Sequence, residues 1–282
     1  MSIGEKAAPN GIAYYRSICQ KGDAENYLFD KFVFRRISIF FTIPAIKIGL
    51  QPNQATALSL VAILSSLPIL MSNSPAWMLV GAALVFAYYT LDHVDGELAR
   101  YYISTKQMTP TLSGQYFDVL VHSYSANALL FVLGVSAYRL FGYEWAVLVG
   151  FVGCMGASSF PNLVAAKVAM NKIVNSPETL GNPNAQPLFR RVERKQEQVA
   201  AVKARITDPE KLRKIVSEIF GFPGILILII LAVVVDAFAG PWAVVGHSFN
   251  ARLAVVVVSA AVHTLKTVVV WRDWMRLFRP VR

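Results

Sequence analysis

Hydrophobic residues are concentrated in six long runs along the chain, separated by short polar stretches and one long polar stretch. Each run is about the 17–25 residues that an α-helix needs to cross a bilayer. The pattern therefore predicts an all-α integral membrane protein with six transmembrane helices. The runs lie near residues 54–72, 76–92, 112–137, 144–166, 220–240 and 251–271.

The N-terminal segment, residues 1–50, has a different pattern. Residues 1–24 are mixed in character and are predicted to be loosely ordered. Over residues 25–39, aromatic and aliphatic residues mix with acidic and basic ones, which is typical of an amphipathic helix lying in the membrane interface. Residues 37–46 are apolar but too short to cross a membrane, and Pro44 interrupts them.

The remainder of the chain, residues 51–282, is predicted to form the six-helix bundle. Its long polar stretch, residues 167–218, is predicted to be a cytosolic insertion between the fourth and fifth helices. Residues 1–282 are predicted to form a single membrane domain, and the sequence has no internal repeat. No charged stub followed by an apolar run and a cleavage site stands at the start, so we expect no signal peptide.

The composition agrees with a membrane protein, and the charges indicate its orientation. Hydrophobic residues make up 55% of the chain, mean hydropathy is +0.47 and the net charge is +10. Of the 27 Lys and Arg residues, only Arg139 and Arg252 lie in or beside the predicted outer loops 73–75, 138–143 and 241–250. This positive-inside bias predicts a cytosolic N-terminus. The excess of basic residues is thus explained by membrane topology and by attraction to anionic lipid headgroups. Nucleic acid is therefore not expected as a partner.

Acidic residues cluster between the second and third runs. Asp92 and Asp95 are three residues apart and share a helix face, which Gly96 and Ala99 continue. The third run has Gly114, Asp118 and His122 at spacings of four. If the two helices pack as an antiparallel pair, three carboxylates and an imidazole converge. Oxygen ligands clustered in this way suit Mg²⁺ or Mn²⁺, which would offset the carboxylates' repulsion and could bridge a diphosphate.

The same acidic residues allow two other interpretations. Asp92 and Asp95 could pair with Arg100 and Lys106 and so anchor the end of a helix. Intramembrane acids also mark the ion pathways of transporters, although transporter sites tend to lie near the bilayer midplane, often with inverted repeats. Here the acids stand at helix ends, which favours a site at the mouth of the bundle.

These residues resemble the signature of the CDP-alcohol phosphatidyltransferase family, D-x2-D-G-x2-A-R-x8-G-x3-D-x3-D. Pro52 and Asn53 with Thr56 are also similar to the family's lead-in to its first span. The six predicted spans and the interfacial helix agree with the resemblance. Seven residues match the signature in type and order: Asp92, Asp95, Gly96, Ala99, Arg100, Gly114 and Asp118.

The resemblance implies an enzyme of phospholipid biosynthesis. Such an enzyme moves a phosphoryl-linked alcohol, here a phosphatidyl group, from a CDP-linked donor to an alcohol acceptor and releases CMP. The resemblance also implies membrane lipids as partners, a possible homodimer and an active site on the cytosolic side. It implies that Asp92, Asp95 and Asp118 hold the divalent metal, and it assigns the nucleotide to Gly96, Ala99, Arg100 and Gly114.

The sequence departs from the family signature in two places. Thirteen residues rather than about eight separate Arg100 from Gly114, which puts the cytidine preference in question. His122 stands where the family has its last aspartate, the proposed base. Histidine is mostly neutral at pH 7, so the hypothesis is that His122 is the general base beside Asp118, with activity declining below about pH 6.5. A metal-ligand role for His122 and a non-catalytic homologue that binds lipid or nucleotide are the alternatives.

Overall fold

The structure is a computed structural model, and it is 84% helical, which confirms the all-α class. It describes residues 11–20, 29–108, 112–156, 219–220, 224–244 and 246–277, so the predicted insertion 167–218 lies outside the described residues. The helices are α1 (Ile12–Cys19), α2 (Arg35–Lys47), α3 (Pro52–Leu70), α4 (Pro75–Ser104), α5 (Leu112–Phe141), α6 (Glu144–Gly156), α7 (Gly224–Ala239) and α8 (Ala251–Leu277).

Two of these helices, α3 and α4, are long and apolar enough to cross a membrane. They are joined by a short turn and pack against each other, with Ile63, Leu70, Met78 and Val85 in the shared core. The outer face of α3 is apolar as well, and its Val61 side chain is 60% exposed. A helix that is apolar all round suits a lipid environment better than water.

Helix α4 is the centre of the bundle, because it packs against α1, α2, α3 and α7. Its 30 residues extend about 45 Å at 1.5 Å per residue, longer than the hydrocarbon layer of about 30 Å. Asp92 lies 17 residues after Pro75, about 26 Å along the helix axis. Asp92 and Asp95 therefore lie inside α4, past its middle, and not at a helix end as the sequence predicted, because the helix continues beyond the apolar run to Ser104.

Two expectations for the N-terminal segment were wrong. Residues 12–19 form α1, where loosely ordered chain was predicted. Pro44 does not interrupt the apolar stretch, since α2 continues through it to Lys47 after a π-helical turn at Asp30–Phe34. A proline inside a helix removes a backbone hydrogen bond, and the packing of Ile39 and its neighbours on α4 offsets that loss.

The predicted outer loops also differ from the structure. Helix α5 continues to Phe141, so only residues 142 and 143 separate α5 from α6. Within the predicted loop 241–250 the chain forms an antiparallel hairpin, β1 (Trp242–Val244) and β2 (His247–Phe249). The connection includes Gly246 at φ 78°, a left-handed conformation that glycine adopts without strain.

Helices α5 and α6 cross in close contact at two glycines. A Cβ on Gly134 would lie 2.5 Å from the backbone oxygen of Ala146 and 3.0 Å from Cα of Gly150. Small residues allow helix backbones to approach in this way. The close van der Waals packing that results stabilises helix association inside a bilayer, where there is no hydrophobic driving force between helices.

We expect Gly134→Ala to destabilise the bundle by about 1–3 kcal/mol, because backbone atoms cannot move aside as a side chain can. Gly153→Ala is the matched control, since its nearest neighbour is the flexible end of Leu130 at 3.3 Å. Thermal unfolding of the two variants in the same detergent measures the difference. Equal unfolding temperatures for both variants would contradict the close crossing.

Candidate functional site

Asp95 is held in a fixed position by a side chain from the preceding helix. It is 8% exposed, and Thr56 of α3 donates a hydrogen bond to its Oδ2 at 2.6 Å. Thr56 is itself buried, and its hydroxyl oxygen also lies 3.2 Å from the carbonyl oxygen of Pro52. The hydrogen bond to Asp95 therefore makes Thr56, near the start of α3, part of the site.

Asp92 contacts His122 across the α4–α5 interface. Its Oδ1 lies 2.8 Å from His122 Nε2, and the two side chains are 11% and 25% exposed, respectively. On the other side of the ring, the hydroxyl of Tyr88 lies 3.2 Å from Nδ1. In the neutral tautomer that carries its hydrogen on Nε2, the lone pair of Nδ1 can accept from Tyr88. The structure thus brings the two halves of the motif together.

The chemistry of this pair suits a divalent cation. Oδ1 of Asp92 is buried, and no hydrogen bond reaches it from the part of the chain that the structure describes. The imidazole of His122 lies 2.8 Å from that oxygen without the alignment of a hydrogen bond. A buried carboxylate oxygen without a hydrogen bond is costly unless a positive charge compensates it.

The third predicted metal residue is not tested by the structure. Asp118 lies one turn before His122 in α5, but its side chain is outside the described residues. Among the side chains that are described, no three His, Cys, Asp or Glu residues gather as a metal site. The three-carboxylate set thus stays a prediction.

Of the residues expected to contact the nucleotide, Gly96, Ala99 and Arg100 follow Asp92 and Asp95 along α4. Gly96 is half-buried, and the atoms that a Cβ there would meet all belong to the guanidinium of Arg100, the nearest at 3.3 Å. Nε of Arg100 donates to the carbonyl of Cys19 at the end of α1. Arg100 is thus engaged with α1. Ala99 is half-buried, and Gly114 lies in the first turn of α5.

The Cys19 thiol at this contact is shielded from solvent. It is fully buried and forms no disulfide. Burial, and secondarily the nearby charge of Glu97, raises the pKa of Cys19 to about 11. The thiol is therefore protonated at neutral pH and serves as a packing residue.

Glu97 fastens the N-terminal helices to α4, a role that sequence reasoning did not predict. Its side chain is 1% exposed and accepts hydrogen bonds from Gln20, Ser38 and Thr42, which come from the end of α1 and from α2. The bonds from Gln20 and Ser38 to Oε1 are 2.8 and 2.7 Å long. Glu97 lies between Gly96 and Ala99 in the sequence motif. Its carboxylate thus connects α1 and α2 to α4.

We expect Glu97→Ala to loosen α1 and α2, because the buried hydroxyls of Ser38 and Thr42 lose their acceptor at about 1–3 kcal/mol each and the half-buried amide of Gln20 loses one of its two. Glu97→Gln keeps an oxygen for Gln20 and Ser38 and is the matched control. Hydrogen exchange over residues 12–47 reports the loosening. Unchanged protection in Glu97→Ala would show that the carboxylate is not what holds these helices.

A second buried polar cluster lies next to Asp92 on α4. Tyr89 donates to Oδ1 of Asp30 at 2.8 Å, and His93 Nε2 lies 3.4 Å from the same oxygen. Asp30 is in the π-helical turn ahead of α2, a conformation often found at functional sites. Sequence reasoning missed Asp30, Tyr88 and Tyr89, because local spacing does not reveal which side chains a distant turn will meet.

The described part of the chain is helical, and two of its helices are long and apolar enough to cross a membrane. A model of the CDP-alcohol phosphatidyltransferase family matches residues 50–180, which include α3, α4, α5 and the whole acidic motif. This part of the chain is therefore similar to the CDP-alcohol phosphatidyltransferase family, the family whose signature its acidic motif resembles. The family supports phosphotransfer with CDP-alcohol substrates and a place in phospholipid biosynthesis. No curated protein matches the chain.

Proposed function

We propose that the protein transfers a phosphatidyl group from a CDP-linked lipid to an alcohol acceptor and releases CMP in a metal-dependent reaction. The observation that carries the proposal is the 2.8 Å contact between Asp92 and His122. It joins the D-x2-D half of the family signature on α4 to the residue that replaces its last aspartate on α5. A purely structural ion pair would not explain why the surrounding residues also follow the signature.

The metal would be held by Asp92 and Asp95, with Asp118 as the third ligand. The buried Oδ1 of Asp92 and the fixed carboxylate of Asp95 support this assignment. When bound, Mg²⁺ or Mn²⁺ neutralises charge on the donor's diphosphate. Carboxylate oxygens at the end of a span suit such hard cations better than soft ones.

The protein's own residues position the substrates and move one proton. The acceptor oxygen forms a bond to the phosphorus of the transferred group, and the phosphorus–oxygen bond to CMP breaks. His122 takes the proton of the acceptor hydroxyl on Nδ1, the ring nitrogen that lies next to the hydroxyl of Tyr88 in the structure. The nucleotide lies along Gly96, Ala99 and Gly114, where the absence of side-chain bulk leaves room, with Arg100 beside it. Such reactions depend mainly on positioning and charge stabilisation.

The proposal includes six membrane spans with the active site at the cytosolic side. The lengths of α5 and α8, at 30 and 27 residues, support two further spans beyond α3 and α4. The near absence of Lys and Arg from the loops at the opposite end supports the orientation. Homodimer formation is a further prediction.

The proposal is tested with purified protein, CDP-diacylglycerol and a panel of small CDP-alcohols, each offered with a range of alcohol acceptors. We expect CMP release that needs both an acceptor and Mg²⁺ or Mn²⁺ and that stops on chelation. Binding of CDP-alcohol without CMP release under any of these conditions would favour the alternative of a non-catalytic homologue. That outcome would overturn the enzymatic assignment and leave the family assignment intact.

A further inference from the structure

Helix α2 and the π-helical turn before it lie at the end of the bundle that holds the acidic site. Asp30 of the turn accepts a hydrogen bond from Tyr89 of α4, and Ser38 and Thr42 of α2 donate to Glu97. The proposed orientation puts this end at the cytosolic surface of the membrane. The side of α2 that does not contact α4 is therefore placed beside the lipid headgroups.

This outer face of α2 is aromatic. Phe32 of the turn and Phe40 and Phe41 of α2 are 54%, 58% and 54% exposed, respectively. Phe32, Arg36 and Phe40 follow one another at spacings of four and are all exposed, so they lie on one side. Exposed phenylalanines are unfavourable in water but favourable at the boundary between lipid headgroups and acyl chains.

Two basic side chains lie against the first aromatic ring of this face. Nζ of Lys31 is 5.8 Å and Cζ of Arg36 is 5.9 Å from the centroid of the Phe32 ring, distances at which a cation and a ring attract each other. No hydrogen bond or ion pair from the residues that the structure describes reaches the exposed guanidinium of Arg36. Its charge is therefore available to a partner outside the chain.

The outer face carries no negative charge to oppose these cations. Residues 31–50 contain four Lys and Arg residues and no Asp or Glu. The carboxylates of Asp30 and Glu97, which adjoin α2, are buried and accept hydrogen bonds inside the bundle. The face therefore complements an anionic partner. A soluble polyanion would match the charges but leave the phenylalanines in water, whereas an anionic lipid layer matches both.

We propose that the outer face of α2 binds anionic phospholipids of the membrane and selects them over zwitterionic ones. The cations of Lys31 and Arg36 pair with the anionic headgroups, and the three phenylalanines contact the upper part of the acyl chains. The inference rests on the membrane position included in the proposed function. It does not rest on the transfer reaction, because no residue of the acidic site takes part.

A fluorescent reporter in this face tests the selection. Phe32→Trp keeps an aromatic ring for both cations and adds emission to that of the five native tryptophans, which is subtracted. The variant is reconstituted in phosphatidylcholine vesicles that contain either phosphatidylglycerol or phosphatidylcholine brominated in one acyl chain, at equal mole fraction. We expect the brominated phosphatidylglycerol to be enriched about fivefold at the reporter, the preference that one basic residue near an anionic lipid surface gives.

Two outcomes of this measurement overturn the proposal. Equal quenching by the two brominated lipids shows that the face contacts lipid without selecting its charge. Quenching by neither lipid shows that protein, such as a second copy of the chain, covers the face.

A matched pair of charge variants assigns the preference to this face. In the Phe32→Trp protein, Arg36→Gln should remove most of the preference. Arg139→Gln removes the same charge at the opposite end of the bundle, where Arg139 donates to the carbonyl of Met71, and should leave the preference unchanged. An unchanged preference in Arg36→Gln contradicts the proposal.

Ionic strength gives a second test that needs no further substitution and decides the matter if Arg36→Gln does not fold. Raising the salt concentration from about 0.1 M to about 1 M shortens the Debye length from about 10 Å to about 3 Å. The preference of the Phe32→Trp protein for brominated phosphatidylglycerol should then fall towards one. A preference that persists at high salt contradicts pairing between these cations and the headgroups.

Discussion

Asp95→Asn is expected to lower the transfer rate by about 10²–10³-fold, the typical loss when one preorganised electrostatic group is removed. Asparagine has nearly the same shape and can still accept the hydrogen bond from Thr56, so the bundle should remain folded. What it loses is the negative charge that offsets a bound cation. Turnover at increasing Mg²⁺ and Mn²⁺ concentrations, measured beside the unfolding temperature, tests the expectation.

Thr56→Val is the matched control for Asp95→Asn. It keeps the charge of Asp95 and removes the hydrogen bond that orients the carboxylate. Loss of such a partner of a metal ligand typically costs about 10–100-fold in affinity or activity. We expect more metal to restore much of the activity of Thr56→Val and little of that of Asp95→Asn. Full activity of Asp95→Asn at any metal concentration would contradict the metal assignment.

The helices and the motif could be predicted from the sequence because both are local patterns. Runs of apolar residues long enough to span a bilayer correspond to α3, α4 and α5, within a few residues at the start of each helix. The spacing that puts Asp92 and Asp95 on one helix face depends only on the helical period. His122 could be related to the motif by its position four residues after Asp118, without any knowledge of tertiary contacts.

The features that the sequence did not predict depend on contacts between distant segments. Nothing in residues 1–24 indicates that α1 forms, because it is held by Glu97, 77 residues away from Gln20 in sequence. Pro44 is normally a helix breaker, and only the packing of α2 on α4 allows the helix to continue. Tyr88 could be assigned to the site only once α5 had been placed beside α4.

His122→Ala is expected to reduce the transfer rate by about 10²–10⁴-fold, the usual contribution of a positioned general base. His122→Asp restores the residue of the family signature and should retain activity within about tenfold of the original rate. Tyr88→Phe removes the hydroxyl that faces Nδ1 at 3.2 Å but keeps the ring in the core, so it should cost only about tenfold, as loss of an orienting partner does.

The two proposed roles of His122 predict different kinetics. A base accepts the proton of the acceptor hydroxyl, so its loss lowers kcat even when metal and both substrates are saturating. A metal ligand holds the cation, so its loss mainly raises the metal concentration needed for half-maximal rate. Metal titrations of His122→Ala at saturating acceptor therefore separate the roles. Because Nε2 already lies 2.8 Å from Asp92 and Nδ1 faces a hydroxyl, we expect the kcat effect to dominate. An unchanged rate in His122→Ala would exclude the base role.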